Sequence, residues 1–380
     1  MLRQAVLTIP STETALARVA GLPLVVRNAR ALVRAGARHV VLGPCEPEVI
    51  AALDAVGFAT FPRRDDAPAL EVPCDRVFEP ALAARALAAE VRPDERRESD
   101  TGIAVVGGPA AAPGRPLELG PGLWAPCTTP AERREAERRL LAALRKPVDG
   151  PVSRWVNRPI SLSVTRLLLD TRVTPNQMTL VATAIGVLGI WAVLTSTWPG
   201  VALGAVLVNA QSILDGCDGE IARLKFQSSP LGAWLDNVLD DLVNAGFGFA
   251  LGVASANLLG QPLWRWLGAF AAGAFGVYYA VVYAQLALRH HTGDPFAFRW
   301  WFQTSADLGA ELGAGGAGAR TAAALRALAR RDVFLWAFML LALARLPQVA
   351  VAWYAVLGAV HLGLSLVHLA RGGLPAEAAS

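Results

Sequence analysis

Four aspartates carry the chemistry of this chain. Asp215, Asp218, Asp236 and Asp240 lie within DGCDGEIARLKFQSSPLGAWLDNVLD, residues 215–240, and the flanking sequence is apolar enough to cross a membrane. A carboxylate in such a segment costs about 2.5–3.5 kcal/mol on insertion scales and marks a functional site. Four together raise one another's pKa unless a counter-charge neutralises them, and a divalent cation is the economical choice. Hard oxygen ligands suit Mg²⁺ or Mn²⁺, with water and phosphate oxygens completing the shell. Two such ions can stabilise both the attacking and the leaving oxygen of a displacement at phosphorus.

Helical geometry groups these residues. At about 100° per residue, Asp215, Asp218, Gly219, Ala222 and Arg223 fall in one arc of a first helix. Gly232, Asp236 and Asp240 fall in one arc of a second. The short connector KFQSSPL makes the two helices antiparallel neighbours, with both acid pairs near one membrane face. Gly219 and Ala222 leave room for close approach to the backbone, and Arg223 offers a planar cation suited to a phosphate oxygen.

The elements that must position these residues form a mainly α membrane protein preceded by a small α/β domain. Hydrophobic residues make up 54% of the 380, and charged residues 17%. Six apolar segments, approximately 177–197, 200–223, 231–257, 263–288, 333–346 and 348–370, approach the ~20 residues a span requires, the fifth being the shortest. They define a transmembrane domain over 177–371, followed by a tail at 372–380. Arg223, Lys225, Arg289, Arg299, Arg320, Arg326, Arg330 and Arg331 crowd one side, whereas Arg265 and Arg345 stand near the loops of the other. The positive-inside rule then puts both termini and the acids at the cytoplasmic face of an inner membrane. MLRQAVLTIPSTETA shows no cleavable signal pattern. A net charge of +4, dispersed, gives no reason to expect nucleic acid.

Residues 1–125 alternate strand-like runs (QAVLTI, HVVLGP, IAVVGG) with helix-like ones (14–37 and 47–57), which implies an α/β layer with a partly parallel sheet. A Pro/Gly-rich connector follows, then a linker with a juxtamembrane helix over 126–176. In that helix Val152, Trp155 and Val156 form an apolar stripe. Arg154, Arg158, Ser161 and Thr165 form a polar line, the pattern of a helix lying along a membrane surface. The loop at 289–332 holds an aromatic-basic stretch, PFAFRWWFQ, and a low-complexity spacer, ELGAGGAGARTAAAL. His290 and His291, and His361 and His368, are expected as interfacial or packing residues. Cys45, Cys74, Cys127 and Cys217 have no metal-ligand spacing and are expected as separate reduced thiols.

The pattern Asp215-x-x-Asp218-Gly219-x-x-Ala222-Arg223, continued by Gly232-x-x-x-Asp236-x-x-x-Asp240, resembles the full signature of the CDP-alcohol phosphotransferase family. KPVDGPVSRWVNRPISLSVTRLLLDTRVTPNQMT is similar to the segment ahead of the first span in the branch that makes di-inositol phosphate compounds. AGLPLVVRNARALVRAGARHVVL, residues 20–42, resembles the early part of sugar-phosphate nucleotidyltransferase domains. That domain's phosphate-binding glycine loop is replaced by PSTETALAR in this chain, as in a degenerate copy.

The resemblance implies a six-helix membrane fold and a homodimer. It implies metal-dependent transfer of a substituted phosphate from a CDP-linked donor, of CDP-diacylglycerol or CDP-inositol type, to an alcohol or polyol phosphate, with release of CMP. Asp215, Asp218, Asp236 and Asp240 would hold metal, and Asp240 would also take the acceptor's proton. Gly219, Ala222, Arg223 and Gly232 would line the CDP site, with Asn176 and Thr179 as further nucleotide contacts or, alternatively, an N-cap and its first turn. The competing function from another class is a divalent-cation transporter. Arg223, on the same arc as the acids, argues against it because it would repel a passing cation.

Overall fold

The computed structural model describes residues 4–63, 67–108, 110–145, 149–290, 297, 298, 300 and 328–372. His291, the side chain of His290, Arg299, Arg320, Arg326, the low-complexity spacer, most of PFAFRWWFQ and residues 373–380 lie outside the described residues. The chain divides into two compact units. One comprises Met1–Lys146 with Arg166–Arg172 and Ile221–Gln227, and the other comprises Pro147–Thr165, Val173–Glu220 and Ser228–Ser380.

The first unit is an α/β layer. Strand β1 (Gln4–Thr8) is apolar throughout Ala5–Leu7 and fully buried there, as a central strand covered on both faces must be. It pairs in parallel with β4 (His39–Leu42) on one side and β5 (Ala69–Pro73) on the other. Strand β8 (Ala104–Val106) runs antiparallel between β5 and β7 (Glu95–Glu98), and β9 (Ala112–Pro113) closes the edge. The 14–37 helix expected from the sequence is broken in two. Helix α1 (Thr12–Leu16) ends before a tight hairpin of β2 (Arg18–Val19) and β3 (Leu22–Pro23), and α2 (Leu24–Arg34) then begins. Ala20 and Gly21, at φ 47° and 82°, make the corner, where glycine tolerates the left-handed backbone that a Cβ disfavours. Helices α3 (Pro47–Asp54) and α4 (Pro80–Ala88) pack against α2.

No glycine-rich loop follows β1. Ser11 caps α1 by accepting from Thr14 N at 3.4 Å, so these backbone N–H groups are taken up by a helical turn. The Pro/Gly-rich stretch adds β10 (Trp124–Pro126), antiparallel to β6 (Arg76–Phe78). After it, α5 (Pro130–Ala142) starts with a capping box of Thr129 and Glu132.

Arg27 on α2 is 3% exposed and donates to Val19 O (3.0 Å), Ala20 O (2.9 Å) and Leu224 O (2.8 Å). Arg30 donates to Lys225 O at 2.8 Å. Burial lowers Arg27 to about 10, against the pull of Cys127 and Glu137, yet it remains a cation at neutral pH.

The second unit is a helical bundle. Helices α7 (Pro175–Leu194), α8 (Trp198–Leu224), α9 (Pro230–Leu259) and α10 (Leu263–Gln285, continued by a π turn to His290) are long and apolar enough to cross a membrane. So is a last helix, Pro347–Ala370. Between them Arg331–Leu343, hereafter α11, is only 13 residues long, which is why length and composition give five candidate spans among the described residues. Its placement makes up for its length. Arg331 at one end meets Asp215 on α8, while Arg345 just beyond the other end stacks on Trp198, where α8 begins. Asp215 and Trp198 are roughly 26 Å apart along α8 at 1.5 Å per residue. Thus α11 runs antiparallel to α8 over nearly the same depth, which makes the bundle a six-helix one among the described residues. The last helix, α12 (Pro347–Ala370), packs on α9, α10 and α11. Helices α9 and α10 touch at Gly252 and Gly268, where an added Cβ would come within 2.8 Å of the facing backbone.

Candidate metal centre and active site

Two helix ends build the centre. Ser229 caps α9 by accepting from Gly232 N at 3.0 Å, with Pro230 at the first helical position, so the chain re-enters the bundle immediately after the connector. This turns Asp236 toward the α8 face that carries Asp215 and Asp218. One carboxylate oxygen from each of the three lies within 4.8 Å of the others. Asp218 is 5% exposed, and Asp215 and Asp236 are partly buried.

The donor set fits a hard divalent cation. Asp218 accepts from the Thr179 hydroxyl and from Gly219 N, which aims one carboxylate from behind. Asp236 Oδ1 is buried without a hydrogen-bond donor, an acceptor that a cation would satisfy. Three carboxylates in a low-dielectric helix bundle are the chemistry that Mg²⁺ and Mn²⁺ bind.

Asp240 stands apart from that triad. One turn further along α9 and 6% exposed, it accepts from Gln211 Nε2 at 3.0 Å and is ion-paired with Arg331. The second Arg331 nitrogen lies 3.5 Å from Asp215 and 3.3 Å from Ser212 Oγ. Next to Asp240, Asp241 accepts from the hydroxyl of Tyr283 on α10.

Of the expected nucleotide contacts, Asn176, Thr179, Gly219 and Gly232 lie at these helix ends. The N-cap of α7 is Thr174, in a capping box with Gln177, rather than Asn176. Asn176 is left to face Gly232: its Oδ1 would lie 3.0 Å from a Cβ there. Thr179 reaches Asp218. Ala222 and Arg223 continue α8 to its C-terminal end, one turn beyond Asp218.

The polar line of the juxtamembrane helix has a partner within the protein. In α6 (Arg158–Leu168) and the turn before it, Ser161 and Thr165 are buried, and both donate to Glu220 at 2.7 Å. Arg158 donates to Glu220 at 2.8 Å and holds Asp149 through two nitrogens. Trp155 is 78% and Leu167 80% exposed instead. The periodicity is amphipathic, but its polar side answers a buried carboxylate, and the apolar side faces outward. Burial works against the Arg158 charge, and its bonds to Asp149 and Glu220 more than offset this, so its pKa lies above the ordinary value.

Sequence reasoning did not single out Glu220, Arg331, Gln211 or Tyr283. Glu220 had a usable signal, being a further carboxylate between the motif residues of an apolar helix. Arg331 had none, because it looks like one more arginine of a basic loop.

Residues 172–314 match the CDP-alcohol phosphatidyltransferase family. The chain carries a CDP-alcohol phosphotransferase domain. Its relatives agree with that assignment. The bifunctional IPC transferase and DIPP synthase of Thermococcus kodakarensis is 38% identical over 149 residues, 39% of this chain and 33% of that protein. The enzyme of the same description from Rubrobacter xylanophilus is 36% identical over 143 residues, 37% of this chain and 32% of that protein. Inner membrane protein YnjF of Escherichia coli is 34% identical over 142 residues, 36% of this chain and 64% of that protein. The chain thus spans about a third of the length of these two bifunctional relatives. The domain is of transferase type, and over this stretch it is similar to the DIPP synthase-like branch.

Proposed function

We propose that this protein transfers a substituted phosphate from a CDP-linked donor to the hydroxyl of an alcohol or polyol phosphate, releasing CMP. The observation that carries the reading is the convergence of Asp215, Asp218 and Asp236 from two antiparallel helices on one point. These three would hold Mg²⁺ or Mn²⁺, with Asp240 completing a two-metal set. Bound there, the metal supplies charge neutralisation for a diphosphate and stabilises the leaving phosphate oxygen.

The protein's own groups have separable tasks. Gly219, Ala222 and Gly232 leave the backbone open to the cytidine diphosphate, and Arg223 binds its phosphate oxygens. Asn176 borders Gly232, and Thr179 holds the Asp218 carboxylate in register. Asp240, one turn beyond Asp236 on α9, accepts the proton of the attacking hydroxyl as the new P–O bond forms and the bond to CMP breaks. The donor is of CDP-diacylglycerol or CDP-inositol type. The acceptor is a phosphorylated polyol such as inositol phosphate, by analogy with the bifunctional relatives. The α/β unit, without a glycine loop after β1, is a degenerate nucleotidyltransferase-like domain.

In this reading the protein is a multi-pass homodimer of the cytoplasmic membrane, embedded in its lipids, with termini and active site on the cytoplasmic side. A panel of CDP donors and polyol phosphates, assayed for CMP with purified protein, tests it. Release of CMP only with both substrates and a divalent metal is expected. The absence of CMP from every pair, together with metal flux into proteoliposomes, would replace it with cation transport.

A further inference from the structure

Among the described residues Glu220 is the most deeply buried carboxylate of the membrane helices, at 0% exposure, yet it lies away from the metal acids. Around α8 it stands about 140° from Asp215 and about 160° from Asp218, on the opposite face. Both its oxygens are used: Oε1 accepts from Arg158 (2.8 Å) and Ser161 (2.7 Å), and Oε2 from Thr165 (2.7 Å). The two helices meet closely along this line. Cys217 Sγ lies 3.4 Å from Ser161 O, and a Cβ on Gly216 would come within 3.5 Å of Arg158 and Ser161. Arg158 is anchored in turn by Asp149 at 3.0 and 3.2 Å.

A buried ion pair is a poor source of net stability, because apolar side chains of similar volume serve as well or better. What it offers is register. A turn of about 20° around the axis of α8 would carry a carboxylate at its ~5 Å outer radius through nearly 2 Å. Magnesium accepts little error, requiring near-octahedral oxygens at about 2.0–2.1 Å. Three directional donors on one carboxylate forbid such a turn, whereas an apolar contact would permit it.

We propose that Glu220 is a positioning residue. Clamped by Arg158, Ser161 and Thr165, it fixes the rotation of α8 and so aims Asp215 and Asp218 at the metal. This rests on the proposed metal site. The clamp leaves the other side of the same helix free to bear the acids, so a single helix carries ligands on one face and their alignment device on the other.

The test uses full-length protein in detergent, with Mn²⁺ binding followed by electron paramagnetic resonance, without substrate and well below the unfolding temperature. Glu220→Gln is expected to weaken Mn²⁺ about tenfold or more and to raise, by a similar factor, the metal concentration that half-activates CMP release. Thr165→Val, which removes one donor with little change of shape, is expected to weaken Mn²⁺ two- to fivefold. It decides the matter if Glu220→Gln does not fold. A structural role alone would lower the unfolding temperature and leave Mn²⁺ affinity in the folded protein unchanged; that result overturns the proposal while the metal reading stands. Failure of the unmodified protein to bind Mn²⁺ at all would overturn both.

Discussion

Arg331 reaches across the bundle from the start of α11 to ion-pair with Asp240 on α9, and its second nitrogen lies 3.5 Å from Asp215 on α8. One guanidinium therefore lies between the proposed proton acceptor and a proposed metal ligand, contacting residues 91 and 116 positions away in sequence. Carboxylates in so apolar a bundle need compensation before any metal arrives, and Arg331 supplies it.

Arg331→Met removes that compensation. Taking one partner from a buried ion pair costs roughly 3–5 kcal/mol, and less in this pair because Arg331 is a third exposed. The metal-free variant is expected to unfold several degrees below the parent. Since a cation bound only to the folded state replaces the missing charge, Mg²⁺ will raise the variant's unfolding temperature more than the parent's. Thermal scans with and without Mg²⁺ check this; equal shifts would remove Arg331 as counter-charge.

Asp240→Asn keeps the shape and the acceptor for Gln211 but loses the ability to take a proton. A general base contributes about 10²–10⁴-fold, so turnover is expected to fall by that factor while binding of the CDP donor changes little. Steady-state CMP release and equilibrium donor binding measure the two. Parent-like turnover would remove Asp240 from the base role.

The acids were legible because intramembrane charge is costly and cannot be incidental, and the spacing of Gly219, Arg223 and Gly232 around them narrowed the chemistry. The sheet was legible only where strands are apolar on both faces, as in β1 and β4. Strand β5 was missed because it carries Glu71, and that charge is answered by Arg96 at 2.7 Å across the sheet. Tertiary pairing of the same kind hid Glu220 and Arg331. Pattern reveals that a charge sits in an apolar element, whereas only the fold reveals its partner. Helix α11 misleads in the other direction, since its depth comes from its neighbours rather than its length.

The cysteines of the α/β unit make its stability depend on pH. Burial raises Cys74 to about 12 and Cys127 to about 11. Their folded pKa values lie above the unfolded thiol's, so their contribution is complete below about pH 9 and is lost as pH rises toward 11–12. Near pH 10 the loss from Cys74 is about 1–2 kcal/mol. Denaturant midpoints followed from pH 8 to 10 are expected to fall. In thiol labelling at pH 8, Cys45 reacts first and Cys74 and Cys127 react only as the unit opens. A flat midpoint together with early labelling of Cys74 would contradict the buried-thiol assignment.

Among the described residues Arg27 has three carbonyl partners and no carboxylate in hydrogen-bond contact, so its value is in satisfying backbone rather than in charge pairing. Two of those carbonyls, Val19 and Ala20, belong to the hairpin that ends α1, and the third, Leu224, ends α8. Helix ends buried without donors are costly, and a cation suits the negative end of a helix dipole. Arg27→Met fills the same space but leaves these acceptors unpaired, for about 3 kcal/mol or more. At 2–4 °C per kcal/mol this lowers the unfolding temperature of the α/β unit by roughly 6–12 °C. Arg27→Lys, a point charge without the planar fork, recovers only part of the loss. Hydrogen exchange at residues 24–34 and 221–227 is expected to quicken together in Arg27→Met, because Arg27 joins both segments and its loss leaves the bridge between them to Arg30. Faster exchange at 24–34 alone would show that the end of α8 is held by other means.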